Sequence, residues 1–131
     1  MLPNNPGRIK YHEKYQKIID EYNGEQQRYV REGFNTDEEL SVYDLLFKDD
    51  LSKNDIKAIK KIAVDLLTQI KDKIATLDHW RDKEDTRSAV NNLIRDSLFV
   101  SLPQSYDDQS INRYTGLIYE HVYNRYPAIA G

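Results

Sequence analysis

Side chains that could carry acid–base or metal chemistry are scattered along this chain of 131 residues. The three histidines, His12, His79 and His121, are far apart, and none has another histidine at the three- or four-residue spacing that a helical metal site requires. Arg113 and His121 are too widely spaced for the arginine–histidine pair of helical ribonucleases. The absence of cysteine excludes thiolate metal sites, disulfides and a cysteine nucleophile.

Nuclease and phosphate-binding motifs are also missing from the sequence. A magnesium-dependent nuclease of the restriction type needs acidic groups and a lysine, commonly introduced by a proline–aspartate step, but none of the four prolines precedes an aspartate. A phosphate-binding loop needs glycines that lead into a helix with a lysine, and no such loop is present. We therefore predict no catalytic, metal-binding or cofactor-binding residue in this chain.

Basic residues give a local candidate for DNA binding. The net charge of -3 and the pI near 5.6 exclude the overall basic field that drives nonspecific binding of nucleic acid. Lys57 and Lys60 on one predicted helix, together with Lys83, could still contact a phosphate backbone. The acidic residues interleaved with these lysines favour a solvated helix face instead.

The only tryptophan, Trp80, lies in the charged stretch LDHWRDKEDTRSAV. A buried tryptophan usually anchors packing, whereas an interfacial tryptophan beside arginines often dominates binding energy. The second interpretation makes Trp80, Arg81 and Arg87 a candidate partner interface. A stripe of tyrosines on the last predicted helix is another candidate, since a different stripe already serves the core: Tyr119, Tyr123 and Tyr126.

The elements that must position these residues are helices, because apolar residues recur at helical spacing and no strand-like alternation occurs. Capping signals at Thr36, Ser52 and Asp78 predict three helix starts. The spacing predicts helices over 8–22, 37–48 and 54–74, a short helical segment within 25–32, a helix from Asp78 to just before Pro103, and a last helix after residue 107. The predicted core residues of the helix over 37–48 are Leu40, Tyr43, Leu46 and Phe47. Those of the helix over 54–74 are Ile56, Ile59, Ala63, Leu66, Leu67, Ile70 and Ile74, and those of the last helix are Ile111, Tyr114, Ile118 and Val122.

These elements predict an all-α fold, a compact bundle of about five helices. Residues 1–7 are expected to be a flexible lead-in, and residues 8–131 a single helical domain. The N-terminus lacks the apolar core of a signal peptide, and no segment approaches the ~20 apolar residues of a membrane span. We therefore expect a cytoplasmic protein that does not contact a membrane.

Two stretches of the chain resemble a known family. The first is the segment 77–106, and the second is the tyrosine-rich end of the last helix around Ile118 to Tyr123. The residues of the first that match are Asp78, Trp80, Arg81, Thr86, Arg87, Leu102, Pro103 and Tyr106. Together with DEELSVYDLLF and the long helix after it, they resemble the C-terminal region of the R subunit of type I restriction-modification enzymes over roughly residues 18–126.

The resemblance implies a fragment of a larger subunit, whose nuclease and ATP-driven DNA motor lie in other domains. The present chain would then be a non-catalytic, helical assembly domain without its own cofactor, while ATP and magnesium would serve the parent subunit. Its partners would be the methyltransferase and specificity subunits, and DNA would be bound through the parent complex. Two alternatives remain. One is a free-standing helical regulatory protein, and the other is a helical domain of the same motor in which five basic residues follow the DNA backbone: Lys57, Lys60, Arg81, Lys83 and Arg87.

Overall fold

The structure is a computed structural model and describes residues 28–129. Every regular element in this range is a helix: α1 Arg28–Arg31, α2 Asp37–Leu46, α3 Lys53–Ala75, α4 Glu84–Ser101 and α5 Asp108–Arg125. The predicted all-α fold with about five helices is confirmed. The predicted lead-in over 1–7 and the predicted helix over 8–22 lie outside the described residues.

The described residues divide into two units by their internal contacts, the first ending at Asp37 and the second beginning at Glu38. In the first unit, the short helix α1 ends at Arg31, and Gly33, two residues later, has a φ of 91°, in the left-handed region that glycine adopts without strain. The amides of Gly33 and Phe34 donate to the carbonyls of Val30 and Tyr29 at 3.0 and 2.8 Å. These bonds satisfy carbonyl groups at the end of the helix.

Helix α2 begins immediately after Thr36, as the sequence predicts, and ends two residues before the predicted Lys48. The prediction that Phe47 faces the core is wrong. Because α2 stops at Leu46, Phe47 lies beyond the last helical residue, and its side chain is 41 % exposed. Val42, which the periodicity did not select, is fully buried instead.

Helix α3 begins where Ser52 caps it, since the Ser52 hydroxyl accepts a hydrogen bond from the Asp55 amide at 3.1 Å. Six of its seven predicted core residues are buried; the exception is Ile56, which is half-buried. Each isoleucine or leucine removed from water in this way contributes about 1.5–3 kcal/mol to folding. The buried residues of α3 are Ile59, Ala63, Leu66, Leu67, Ile70 and Ile74.

Helix α4 packs on α3, and α5 packs on α4. Asp107 caps α5 by accepting a hydrogen bond from the Ser110 amide at 2.7 Å. The predicted core stripe of α5 is buried together with the hydroxyl-bearing Thr115. The side chain of Tyr106, in the loop between α4 and α5, donates to the carbonyl of Leu46 at 2.5 Å and so ties this loop to the end of α2.

The prediction that Asp78 starts a helix is wrong. Residues 76–83 form turns, and α4 begins only at Glu84. His79 has a φ of 48°, a left-handed conformation that a right-handed helix cannot accommodate. Trp80 therefore lies in a tight connection between α3 and α4, which we call the 76–83 turn, rather than on a helix.

Candidate partner-docking site

The indole of Trp80 is fully buried within the unit Glu38–Gly131. Its Nε1 donates a hydrogen bond to the backbone carbonyl of Tyr126 at 2.7 Å. Its ring meets the rings of Tyr119 and Tyr123 edge-on, with centroids 6.1 and 5.8 Å apart. Edge-on contacts of this kind suit the charge distribution of aromatic rings, and the buried N–H has the partner that it needs. Trp80 is therefore a core residue that anchors the 76–83 turn to the last turns of α5.

Two residues at the start of α4 fix the backbone of this turn. The Thr86 hydroxyl lies 2.5 Å from the carbonyl oxygen of Trp80 and 3.0 Å from that of Lys83. Arg87 donates from Nη1 to the carbonyl of Arg81 at 2.7 Å. Lys83 precedes the helix without a side-chain capping bond, and these two side chains bind carbonyls of the turn rather than the first amides of the helix. Thr86 and Arg87 thus hold the backbone of Trp80 and Arg81 in place.

Above the buried tryptophan, arginine and tyrosine side chains form a partly exposed surface. The guanidinium carbon of Arg81 lies 5.2 Å from the ring centroid of Tyr123, and its Nη1 donates to the Tyr123 carbonyl at 3.0 Å. The rings of Tyr119 and Tyr123 are neighbours, with centroids 6.1 Å apart. Burial raises the pKa of Tyr119, and the nearby charge of Arg87 opposes this rise. We call the surface of Arg81, Arg87, Tyr119 and Tyr123 the Arg–Tyr ledge.

Tyr126, the third tyrosine of the predicted stripe, lies inside the unit with only 5 % of its surface exposed. Its hydroxyl donates to Glu38 Oε2 at 2.5 Å, and the ammonium of Lys71 lies 2.8 Å from the same oxygen. Hydrogen bonds from Lys71 and Tyr126 lower the pKa of Glu38, whereas burial and the Glu38 hydrogen bond raise that of Tyr126. Tyr126 therefore ties the end of α5 to α2 and α3.

The structure brings together the two candidate interfaces that the sequence separates. Trp80, Arg81 and Arg87 come from the 76–83 turn and α4, and the three tyrosines come from the end of α5. All six belong to one cluster, with Trp80 and Tyr126 inside it and the Arg–Tyr ledge at its surface.

The three lysines proposed for DNA contact do not come together in this way. Lys57 and Lys60 lie in the first turns of α3, and the ammonium of Lys60 lies 5.7 Å from the ring centroid of Tyr43. Lys83 lies just before α4, after the opposite end of α3. At 1.5 Å per residue, the rest of α3 beyond Lys57 is about 27 Å long. Lys83 is also followed directly by the acidic residues Glu84 and Asp85.

An apolar surface at the end of α4 was not found from the sequence. Phe99 is 64 % exposed and Val100 is 84 % exposed. Phe99 forms one wall of a shallow cavity of about 360 Å³ between α4 and α5, which Ile111, Arg95 and Asp96 also line. The sequence signal was the run Leu98-Phe99-Val100, because three consecutive residues of a helix point in different directions and cannot all face the core. Leu98 is buried, and the other two are exposed.

Within residues 28–129, no three histidine or acidic side chains are grouped as metal ligands. None of the helices in the same range has the length and apolar character needed to span a membrane. No protein-family model, curated protein or solved structure matches the chain.

Proposed function

We propose that this chain is a non-catalytic assembly domain of the R subunit of a type I restriction enzyme. In the cytoplasm it docks the ATP-dependent translocase and nuclease subunit onto the methyltransferase and specificity subunits. The Arg–Tyr ledge is the docking surface. The observation that carries this proposal is that two separate stretches of the family resemblance meet in one cluster with an exposed rim: Trp80, Arg81, Thr86 and Arg87 from the first, and Tyr119 and Tyr123 from the second.

The composition and rigidity of the ledge support a docking role. Arginine and tyrosine are enriched among the residues that dominate binding energy at protein interfaces. Arg81 and Arg87 are each held by a hydrogen bond to a backbone carbonyl, and the ring of Tyr123 packs against the buried Trp80 in a T-shaped contact. Side chains that are ordered before binding lose less conformational entropy when a partner arrives.

Direct DNA contact by this domain has weaker support. Backbone binding needs several basic groups along one path, because affinity grows with the number of phosphates neutralised. Lys57 and Lys60 lie at one end of α3, and Lys83 follows the other end. In the proposed arrangement, DNA is bound by other parts of the parent complex, and ATP and magnesium serve its motor and nuclease domains.

Binding between this chain and the purified methyltransferase–specificity complex of the same restriction system tests the proposal. We expect the wild-type chain to bind and Tyr123→Glu to weaken binding at least tenfold while the far-UV circular dichroism spectrum stays unchanged. Leu117→Glu is the matched control, since Leu117 is 37 % exposed and Tyr123 36 % on the same helix, about 120° apart around its axis. Failure of the wild-type chain to bind would refute the docking function, and equal binding by a folded Tyr123→Glu chain would refute the ledge as its surface.

A further inference from the structure

Arg81 and Arg87 place two positive charges on one surface. Among the described residues, neither guanidinium forms an ion pair with a carboxylate. Each instead uses its Nη1 to bind a backbone carbonyl, of Tyr123 and of Arg81 respectively. A guanidinium carries five N–H donors, so each retains donors beyond those that the chain itself engages.

The two arginines are also placed beside the same pair of aromatic rings. The guanidinium of Arg81 lies over the ring of Tyr123, and the charge of Arg87 acts on Tyr119. The rings of Tyr119 and Tyr123 are adjacent, with centroids 6.1 Å apart. Stacking on a ring and a bond to a carbonyl restrict the orientation of Arg81, which suits the planar, two-pronged recognition of a carboxylate.

Acidic residues close in sequence to the two arginines disfavour a polyanion as the ligand of the ledge. Asp82 lies within 3.8 Å of His79, and Glu84 and Asp85 lie in the first turn of α4, where the helix dipole favours negative charge. These acidic side chains would repel a polyanion such as a nucleic acid backbone, which must extend past the ledge on both sides. A single carboxylate on a protein surface does not extend past the ledge and meets less of this repulsion.

We propose that the Arg–Tyr ledge binds an acidic side chain of the partner protein, held jointly by the guanidinium groups of Arg81 and Arg87. This inference rests on the proposed docking function, because it names the chemical group through which docking occurs. The phenol groups of Tyr119 and Tyr123 flank the carboxylate and shield it from water. The partner therefore presents an aspartate or glutamate on its contacting surface.

A short peptide tests the carboxylate site without the restriction complex. The probe is the tripeptide Ala-Glu-Ala with both ends blocked, and Ala-Gln-Ala is its neutral control. We expect Ala-Glu-Ala to shift the side-chain Nε–H resonances of Arg81 and Arg87 in NMR spectra, with saturation in the millimolar range, and to leave Arg95 unshifted. Shifts of equal size with Ala-Gln-Ala, or none with Ala-Glu-Ala, would overturn the inference.

Binding to the methyltransferase–specificity complex separates this inference from the proposed function. We expect Arg81→Gln to weaken binding about tenfold or more, because it removes a charge-assisted hydrogen bond. Arg81→Lys should recover only part of this loss, since an ammonium cannot make the planar, two-pronged contact. Arg95→Gln, which alters an exposed arginine of α4 beside Asp96, should bind as the wild type does. If the wild type binds and Arg81→Gln binds equally well, the carboxylate site is wrong and docking stands; if the wild type does not bind, docking itself is wrong.

Discussion

Replacement of Trp80 by alanine should remove a large part of the stability of the helical unit. The side chain is fully buried, two tyrosine rings contact it in T-shaped arrangements, and its N–H satisfies the carbonyl of Tyr126. Truncating a buried tryptophan to alanine typically costs ~3–5 kcal/mol of unfolding free energy, because the cavity is only partly filled by relaxation. We expect a value near the upper end, since the Tyr126 carbonyl also loses its donor.

Trp80→Phe separates the hydrogen bond from the packing. Phenylalanine keeps most of the buried ring but has no N–H, so the Tyr126 carbonyl is left without its donor. We expect a loss of about 1–2 kcal/mol, which is the cost of an unsatisfied buried acceptor, together with a small packing defect. The difference between the alanine and phenylalanine variants then measures the packing of the ring.

The assay is urea unfolding followed by far-UV circular dichroism, since both variants lack the tryptophan that fluorescence would use. Free energies extrapolated to water are compared at equal slope, because a changed slope would signal a change in the unfolded state or a loss of two-state behaviour. Phe99→Ala is the control: Phe99 is 64 % exposed, and we expect a change of no more than about 0.5 kcal/mol. If Trp80→Ala cost less than about 1 kcal/mol, or no more than Phe99→Ala, the assignment of Trp80 to the core would be refuted.

Other predictions concern the hydrogen bonds and charges of the same unit. Thr86→Val should cost about 1–2 kcal/mol, because it removes the hydroxyl that lies within hydrogen-bonding distance of two carbonyls of the 76–83 turn. Thr68→Val, at an exposed position of α3, should cost less than about 0.5 kcal/mol; urea unfolding measures both. Glu38→Gln should reduce stability at neutral pH and flatten the acid limb of the stability curve. The pKa of Glu38 in the folded state is lowered, so its contribution to the free energy of unfolding is present above the unfolded value near 4.5 and declines as the pH falls below it. An unchanged dependence of stability on acid pH in Glu38→Gln would contradict this. Burial, with a smaller effect of Arg125, lowers the pKa of His121, whose Nε2 lacks a hydrogen-bond partner in the described part of the chain. The unfolded state therefore takes up a proton first as the pH falls through about 6.5, so the stability of the fold should decrease there. Urea midpoints measured between pH ~7.5 and ~5.5 should show this decrease in the wild type, and His121→Gln should remove it.

Local signals in the sequence were sufficient to predict most of the helices. Ser52 caps α3 through a bond to an amide three residues away, and the apolar residues of α3 and α5 repeat at the period of the helix itself. Such features depend on neighbours in sequence and can be read without knowing the fold. The start of α2 after Thr36 belongs to the same class.

The errors arise where tertiary contacts override local preference. Asp78 has the side chain of a helix cap, yet the backbone at His79 is left-handed, and carbonyls of the 76–83 turn are bound by Thr86 and Arg87. The composition of the candidate site could be predicted, because tryptophan, arginine and tyrosine are conspicuous residue types. The meeting of these residues in one cluster could not be predicted, because Trp80 and Tyr126 are 46 residues apart and come together only when α5 packs on α4.

The bonds of Tyr126 also determine when this unit can finish folding during protein synthesis. Tyr126 is joined to Trp80 across 46 residues and to Glu38 across 88 residues. At about 5–20 residues per second, a ribosome needs on the order of ten seconds to travel from Glu38 to Tyr126. During that interval α3 and α4 can form, but the apolar faces that α5 later covers remain open to chaperones and proteases. Closure of the bundle is therefore a late step that must wait for the end of α5 to leave the ribosome.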